Sequence, residues 1–316
     1  MKKISILIPT YNEADNLSLL YDVVRAQLLA LADRYDYEIV FIDNKSTDGT
    51  RAIIRQLCAK DERVKAIFNA RNFGSGVSSY YGSLQTTGDC TIGMCADFQD
   101  PPEYIPQMIE AWEQGSKIVC MVKTQSREHK GLRFVRTLYY KVLNRFSDVA
   151  LIEHFSSFGL WDKSVMDIGR RWGERVPFLR GMTAEAGYGI TILPYTQQKR
   201  RKGKSSYRFF KLYDDAMVGI TRYTKVGLRL ATLLGVLLSG VSALIAVVLL
   251  IVKLASGDAS PLGLGALGLG LFFLGGVQLF FMGMLGEYIL SIQRYSMNRP
   301  LVFEEERINF DEKAGE

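Results

Sequence analysis

Five polar stretches carry the residues whose types and spacing could do chemistry. Ala96-Asp97-Phe98-Gln99-Asp100-Pro101-Pro102-Glu103 follows an apolar run, Thr91 to Cys95. It sets the Asp97 carboxylate, with Gln99 two residues on, where oxygen ligands could hold a hard divalent cation, Mg2+ or Mn2+. Such a cation can bridge a diphosphate and offset the charge on a departing phosphate group. Pro9-Thr10-Tyr11-Asn12-Glu13 makes a sharp exit from the run Ile4 to Ile8, and Pro9, Tyr11 and Glu13 could meet a base or ribose. Asp43 ends the run Glu38 to Ile42, placed to accept hydrogen bonds from the same part of a ligand. Arg71-Asn72-Phe73-Gly74 follows Val64 to Phe68 with a flexible basic loop in which Arg71 and Gly74 stand out. Farther on, Arg200-Arg201-Lys202-Gly203-Lys204-Ser205-Ser206-Tyr207 joins cations, a glycine and hydroxyl donors. Arg200, Lys204, Ser205 and Tyr207 are thus the makings of a loop that closes over phosphates. Taken singly, the stretch at residues 9–13 is a common turn, Asp43 and residues 71–74 can also be read as a helix cap or a turn, and the basic run 200–207 is equally a solvated or lipid-facing loop.

The elements that must position these groups are legible around them. The four apolar runs alternate with helix-type stretches, as a parallel sheet built from βαβ units requires. Open sheets of that kind bind ligands at the carboxyl ends of their strands, where Asp43 and Asp97 fall. Asp100, Pro101 and Glu103 predict an N-cap, a first-turn proline and an acidic partner for a helix running towards Trp112. Ser46 to Thr50 predicts another helix start directly after the second strand.

The chain has 316 residues, room for one α/β domain of roughly 100 to 200 residues and something smaller. Hydrophobic residues make up 48% but are unevenly spread, since Leu230 to Gly286 carries only Lys253 and Asp258. Leu230–Val252 and Leu264–Leu285 are each long enough to cross a hydrocarbon core of about 30 Å at roughly 1.5 Å per residue. Arg222, Lys225 and Arg229 precede the first and Arg294 and Arg299 follow the second, so both termini are expected on the cytoplasmic side. The glycine-rich second span suits close helix contact, within the chain or between chains. Residues 131–147 and 206–223 read as basic amphipathic helices at a lipid surface, or as helices packed on their own domain. The net charge of +6 is crowded just ahead of the apolar block, which favours anionic lipid over nucleic acid. Cysteines 58, 90, 95 and 120 lack metal-type spacing and read as reduced, mostly buried thiols. Five apolar-type residues ending at Pro9 are too few for a cleaved signal.

Taken in order, the motifs resemble the family 2 glycosyltransferases, in the branch of bactoprenol glucosyltransferases and dolichol-phosphate mannose synthases, over nearly the whole chain. Pro-x-Tyr-Asn-Glu matches residues 9–13, Asp-Asp-x-Ser-x-Asp-Gly-Thr matches 43–50, and Arg-Asn-Phe-Gly matches 71–74. Asp-x-Asp-Leu-Gln-Asp-Pro-Pro-Glu is matched from Ala96 to Glu103, and Arg-x-x-Gly-x-Ser-x-Tyr matches 200–207. The resemblance implies an α/β, Rossmann-like domain of GT-A type over 1–225, a two-helix membrane anchor over 226–290 and a cytoplasmic tail over 291–316. It implies inverting transfer of glucose from UDP-glucose to undecaprenyl phosphate at the cytoplasmic face of the plasma membrane, for modification of cell-envelope glycans. Asp97 and Arg200 would be catalytic, Asp97 and Gln99 would hold Mg2+ or Mn2+, and the other residues named above would bind substrate. A homo-oligomer, with a tetramer among the options, and a partner flippase are further implications.

The departures are specific. Cys95 stands where a first metal-binding aspartate is expected, Asn44 replaces a second aspartate, and Ser75 stands where relatives often have lysine. Ser157 and Gly159 fall where aspartate and arginine are frequent, leaving Glu153 and His154 as candidates to assist on the acceptor side. Open alternatives are another UDP-sugar or GDP-mannose as donor, a processive synthase suggested by Gln197 to Arg201, and a catalytically silent membrane scaffold.

Overall fold

The computed structural model describes residues 1–310 except 126–136, 138, 142, 148, 154, 199–208 and 257–263. The chain divides into two compact units, one comprising 1–141, 149–207 and 298–316, the other 142–148 and 208–297.

The first unit is built on one eight-stranded sheet. Its strands are β1 (Lys2–Thr10), β2 (Tyr35–Asp43), β3 (Val64–Asn69), β4 (Cys90–Gly93), β5 (Ile118–Gln125), β6 (Phe155–Asp162), β7 (Ile190–Thr196) and β8 (Glu304–Ile308). They lie in the order β7-β5-β6-β4-β1-β2-β3-β8. β1 pairs in parallel with β2 and β4, β2 with β3, and β5 with β7, while β6 and β8 run antiparallel to their neighbours. The carboxyl ends of β1, β2, β3, β4, β5 and β7 therefore share one edge of the sheet.

The four expected strands are present, and their near-continuous apolar sequences are explained by burial on both faces. Ile4, Ile6, Ile8, Ile39 and Phe41 pack against Leu17, Leu20 and Val24 of α1 (Ala14–Leu29) and against Ile105, Met108 and Ile109 of α4 (Ile105–Glu113). Leu7, Val40, Ile42 and Ile67 face the other way, towards Tyr81 of α3 (Ser75–Gln85). Each such side chain contributes about 1.5–3 kcal/mol on burial. Among the described residues this unit also contains α2 (Thr50–Lys60), α5 (Lys163–Trp172) and α6 (Leu179–Glu185).

Two expectations are corrected, the helix start after Asp100 and the tail. The helix after Asp100 begins with a 3-10 turn, Pro102–Tyr104, and becomes α-helical only at Ile105. Asp100 does not cap it, because its carboxylate is buried and accepts from the Cys95 backbone N–H at 2.9 Å. Residues 304–308, expected in a tail, instead form the edge strand beside β3. Cys58, Cys90 and Cys120 are buried free thiols, but Cys95 is exposed.

The second unit contains α7 (Phe209–Tyr223), α8 (Val226–Ser256) and α9 (Leu264–Ser296). α7 matches the second expected amphipathic helix. Of the first, residues 137, 139–141 and 143–146 are helical, and the rest of 131–147 lies largely outside the described residues. Gly270–Ser296 within α9 is long and apolar enough to cross a membrane, with mean hydropathy 1.5. α8 covers the other expected span, but among its described residues the apolar stretch is the shorter Leu228–Ser242. Tyr288 donates to the Thr224 carbonyl at 3.0 Å, tying α9 to the end of α7.

Candidate functional site

At the shared edge, two loops interlock. Asn12, in the left-handed region at φ 57°, accepts from the Thr47 N–H at 2.8 Å, and its own N–H donates to Ser46 Oγ at 2.9 Å. The Glu13 N–H donates to Thr50 Oγ1 at 2.9 Å and the Ala14 N–H to Asp48 at 3.1 Å. The Pro-Thr-Tyr-Asn-Glu and Ser-Thr-Asp-Gly-Thr motifs are thus two halves of one structure, in which side chains satisfy backbone donors that no strand or helix provides for. Burial would raise the Asp48 carboxyl, but hydrogen bonds from Thr50 and Ala14 outweigh it and hold it below the ordinary range.

Several expected ligand contacts are committed to this framework. Asp43 is fully buried; its carboxylate accepts from the Ser46 N–H at 3.0 Å, the Ser46 hydroxyl, and Arg51 Nε at 2.7 Å. It therefore shapes the loop that follows β2, rather than presenting a free carboxylate to a base or ribose. Pro9 sits inside β1 opposite Ile42. The Glu13 carboxylate accepts from Asn16 at 2.7 Å in the first turn of α1. Tyr11, in contrast, is 40% exposed at the rim. Asn44 is buried and accepts from Asn69, Ser78 and the Phe73 N–H at 3.2, 2.5 and 3.3 Å, joining β2, β3 and α3.

Arg71 is exposed and lies over the Phe73 ring at 4.1 Å. Gly74 adopts φ 91° with nothing within 4 Å of a built Cβ, so backbone conformation, not space, calls for glycine there.

The loop after β4 holds the carboxylates. Asp97, 3% exposed, accepts from the Gln99 N–H at 3.0 Å. Asp100 accepts from Tyr195 Oη of β7 at 3.2 Å as well as from the Cys95 N–H. Cys95 is exposed as a residue, while its thiol is desolvated by the protein around it. Burial of the sulfur, then the charges of Asp100 and Asp97, push its thiol well above the ordinary value. It remains S–H at neutral pH. Burial also raises the Asp100 carboxyl, opposed by the bonds from Cys95 and by the positive charge of Lys123.

Lys123 and Tyr195, at the ends of β5 and β7, are the groups the motifs did not disclose. They reach this loop only because strands distant in sequence end at the same edge. The antiparallel β6 brings Ser157 to the same edge, at φ 70°. At Gly159 a built Cβ would lie 2.4 Å from the Val119 carbonyl oxygen, so a larger side chain has no room there.

Among the described residues no group of three or more His, Cys, Asp or Glu side chains is gathered to hold a metal ion. A hard divalent cation that keeps waters and substrate phosphates in its shell needs only one or two protein carboxylates. The loop offers Asp97 for that purpose, whereas a protonated thiol at 95 is no ligand for it. Arg200, Lys204, Ser205 and Tyr207 lie outside the described residues, as does His154; Thr196, the end of β7 that leads towards them, is at the shared edge.

Residues 5–168 match the family described as Glycosyl transferase family 2. The bactoprenol glucosyl transferase of Shigella phage SfX is 32% identical over 299 residues, 94% of this chain and 97% of its own. An uncharacterized glycosyltransferase of Bacillus subtilis, YkcC, is 31% identical over 98% of this chain and 95% of its own. Among solved structures, the Pyrobaculum calidifontis mannosyltransferase PcManGT in complex with GDP-Man and Mn2+ aligns with 94% of this chain and 88% of its own. Its TM-score is 0.47 at 15% identity, a loose likeness.

Proposed function

Because the chain belongs to glycosyl transferase family 2, we propose that it transfers a sugar from a nucleotide-sugar to a polyprenyl phosphate, with UDP-glucose and undecaprenyl phosphate as the substrate pair. The names of the bactoprenol glucosyl transferases it resembles support the acceptor and the sugar. The observation that carries the reading is the position of Asp97 at the carboxyl end of β4. It is flanked by the interlocked loops after β1 and β2 and by the ends of β5 and β7.

In this reading Tyr11, Arg71 and Gly74 line the nucleotide side, and Asp43 and Glu13 hold its loops in shape. Asp97, with Gln99 beside it, would hold Mg2+ or Mn2+, which when bound supplies Lewis-acid stabilisation of the diphosphate leaving group. Arg200, Lys204, Ser205 and Tyr207 would close over the same phosphates. The acceptor needs no strong general base, because a phosphomonoester with a second pKa near about 6 is largely dianionic at neutral pH. The protein's task is to set that oxygen opposite the departing diphosphate, and transfer inverts the anomeric centre. The unit built on α7, α8 and α9 serves as anchor, with α8 as a second crossing. The catalytic unit and both termini face the cytoplasm, and the assembled enzyme is a homo-oligomer acting in cell-envelope glycan modification.

The test is transfer of labelled sugar from a panel of UDP- and GDP-sugars to undecaprenyl phosphate in membranes containing the protein, with Mg2+ or Mn2+ and with chelator. Chelator-sensitive labelled lipid from UDP-glucose is the expected result. Product from a different donor would reassign the sugar, and nucleotide binding with no product from any donor would turn the reading to a silent scaffold.

A further inference from the structure

β8 follows the last long helix in sequence and returns to the sheet beside β3. Its approach touches the loops assigned above to the nucleotide side. The Phe303 carbonyl accepts from the Ala70 N–H at 2.8 Å, and its ring lies 6.3 Å from that of Phe73. Glu305 accepts from Lys45 Nζ at 2.7 and 2.9 Å and from Arg51 Nη1 at 2.8 Å. Arg51 gives its Nε to Asp43 at 2.7 Å and its Nη2 to the Asn69 carbonyl at 2.9 Å, with only 15% of its side chain exposed. Lys45 meanwhile sits at φ 62°, a left-handed conformation that a lysine keeps only where neighbours hold it.

A relay of contacts therefore runs from Glu305 through Arg51 to Asp43 and the Ser46 turn, with a second arm to Lys45. The adjacent Glu306 offers a built-in comparison. It pairs with Arg55 at a similar exposure, 38% against 45% for Glu305, but has no link to Asp43 or Lys45.

We infer that Glu305 is a positioning residue for the nucleotide-sugar, holding the loop after β2 in its binding shape from a strand that the chain supplies only after its last long helix. The inference rests on the proposed function, since it takes the ligand at this edge to be a nucleotide. It also fixes a direction. Glu305 is an acidic group near an anionic ligand, so if it acted only through its charge, removing it would tighten binding. If it acts by positioning, removal weakens binding.

The experiment is calorimetric titration of the full-length protein in detergent with UDP and with GDP, alongside donor KM and kcat, for wild type, Glu305→Ala, Glu305→Gln and Glu306→Ala. Glu305→Ala is expected to weaken nucleotide binding and raise donor KM by about fivefold, the upper end of what one exposed ion pair contributes. Its kcat should stay within about twofold, and Glu306→Ala should leave all three unchanged. Glu305→Gln keeps the shape of the side chain and guards against loss of fold; it should fall between wild type and Glu305→Ala. Equal effects at 305 and 306, or tighter binding on removal of Glu305, would overturn the inference while leaving the enzyme reading in place. A wild-type protein that binds neither nucleotide would overturn that reading, and the inference with it.

Discussion

Asn in place of Asp43 separates two roles that the sequence alone could not distinguish. The carboxylate is fully buried and holds Arg51, the Ser46 N–H and the Ser46 hydroxyl. An asparagine oxygen in the Oδ2 place can still accept from Arg51 Nε and the Ser46 N–H, with its NH2 turned to the Ser46 hydroxyl, but the charge that pairs with the guanidinium is gone. Breaking a buried charge pair by removing one partner costs about 3–5 kcal/mol. The lower end, about 3 kcal/mol, applies because Arg51 keeps Glu305 and the Asn69 carbonyl. For a domain of this size that corresponds to a fall in Tm of roughly 6–12 °C. All three tryptophans, Trp112, Trp161 and Trp172, belong to the first unit, so intrinsic fluorescence melting in detergent reports its unfolding and not that of the long helices. The reasoning is refuted if Asp43→Asn melts within about 2 °C of wild type yet loses nucleotide binding, since that is the behaviour of a direct ligand contact.

Other expectations are as specific. Asp97→Asn should lower sugar transfer by roughly a hundredfold or more, with unchanged tryptophan melting; retained transfer would remove Asp97 from the reacting centre. Glu38 is 1% exposed, and burial would raise its carboxyl, but hydrogen bonds from Ser5, Thr87 and Lys65 and the Lys65 charge hold it at about 2. A depressed carboxyl stabilises the fold above its unfolded value and loses that contribution as pH falls towards the folded value. The first unit should therefore lose about 3 kcal/mol between about pH 4.5 and 2, and Glu38→Gln should show a lower Tm at pH 7 and a shallower decline on acidification. Gly159→Ala should lower the Tm by the equivalent of about 1–3 kcal/mol, because the new Cβ meets the Val119 carbonyl oxygen at 2.4 Å; an unaltered melt would show that β5 and β6 separate freely there.

What the sequence disclosed follows from how local each signal is. β1 to β4 were legible because each lies in an apolar run bounded by turn residues, and Asp97 was legible because such a run, Thr91 to Cys95, comes just before it, although β4 itself ends at Gly93. The interlocking of Asn12 with Thr47 was not, since nothing in either motif states that the other will lie beside it. Asp43 showed the limit most clearly: its place at a strand end suggested a ligand contact, while its partner Arg51 lay eight residues on, in a helix with no visible reason to turn back. Lys123, Tyr195 and Glu305 were hidden for a related reason. They depend on sheet neighbours far apart in the chain, and Glu304–Ile308 has neither alternation nor an apolar run to mark it as a strand. Cys95 looked like a defective metal ligand in the sequence; the structure adds that its backbone N–H donates to the buried Asp100 and that its thiol is pushed up, away from the thiolate form.

The most direct measurement of the central claim is mass-spectrometric analysis of the lipid fraction after wild-type protein and the Asp97→Asn variant are incubated with UDP-glucose, undecaprenyl phosphate and Mg2+. Undecaprenyl phosphate is expected to gain one hexose with the wild-type protein and none with the variant. Equal product from both would contradict the placing of the reaction at the carboxyl end of β4, and no product from wild type with any nucleotide-sugar would contradict transfer to this lipid altogether.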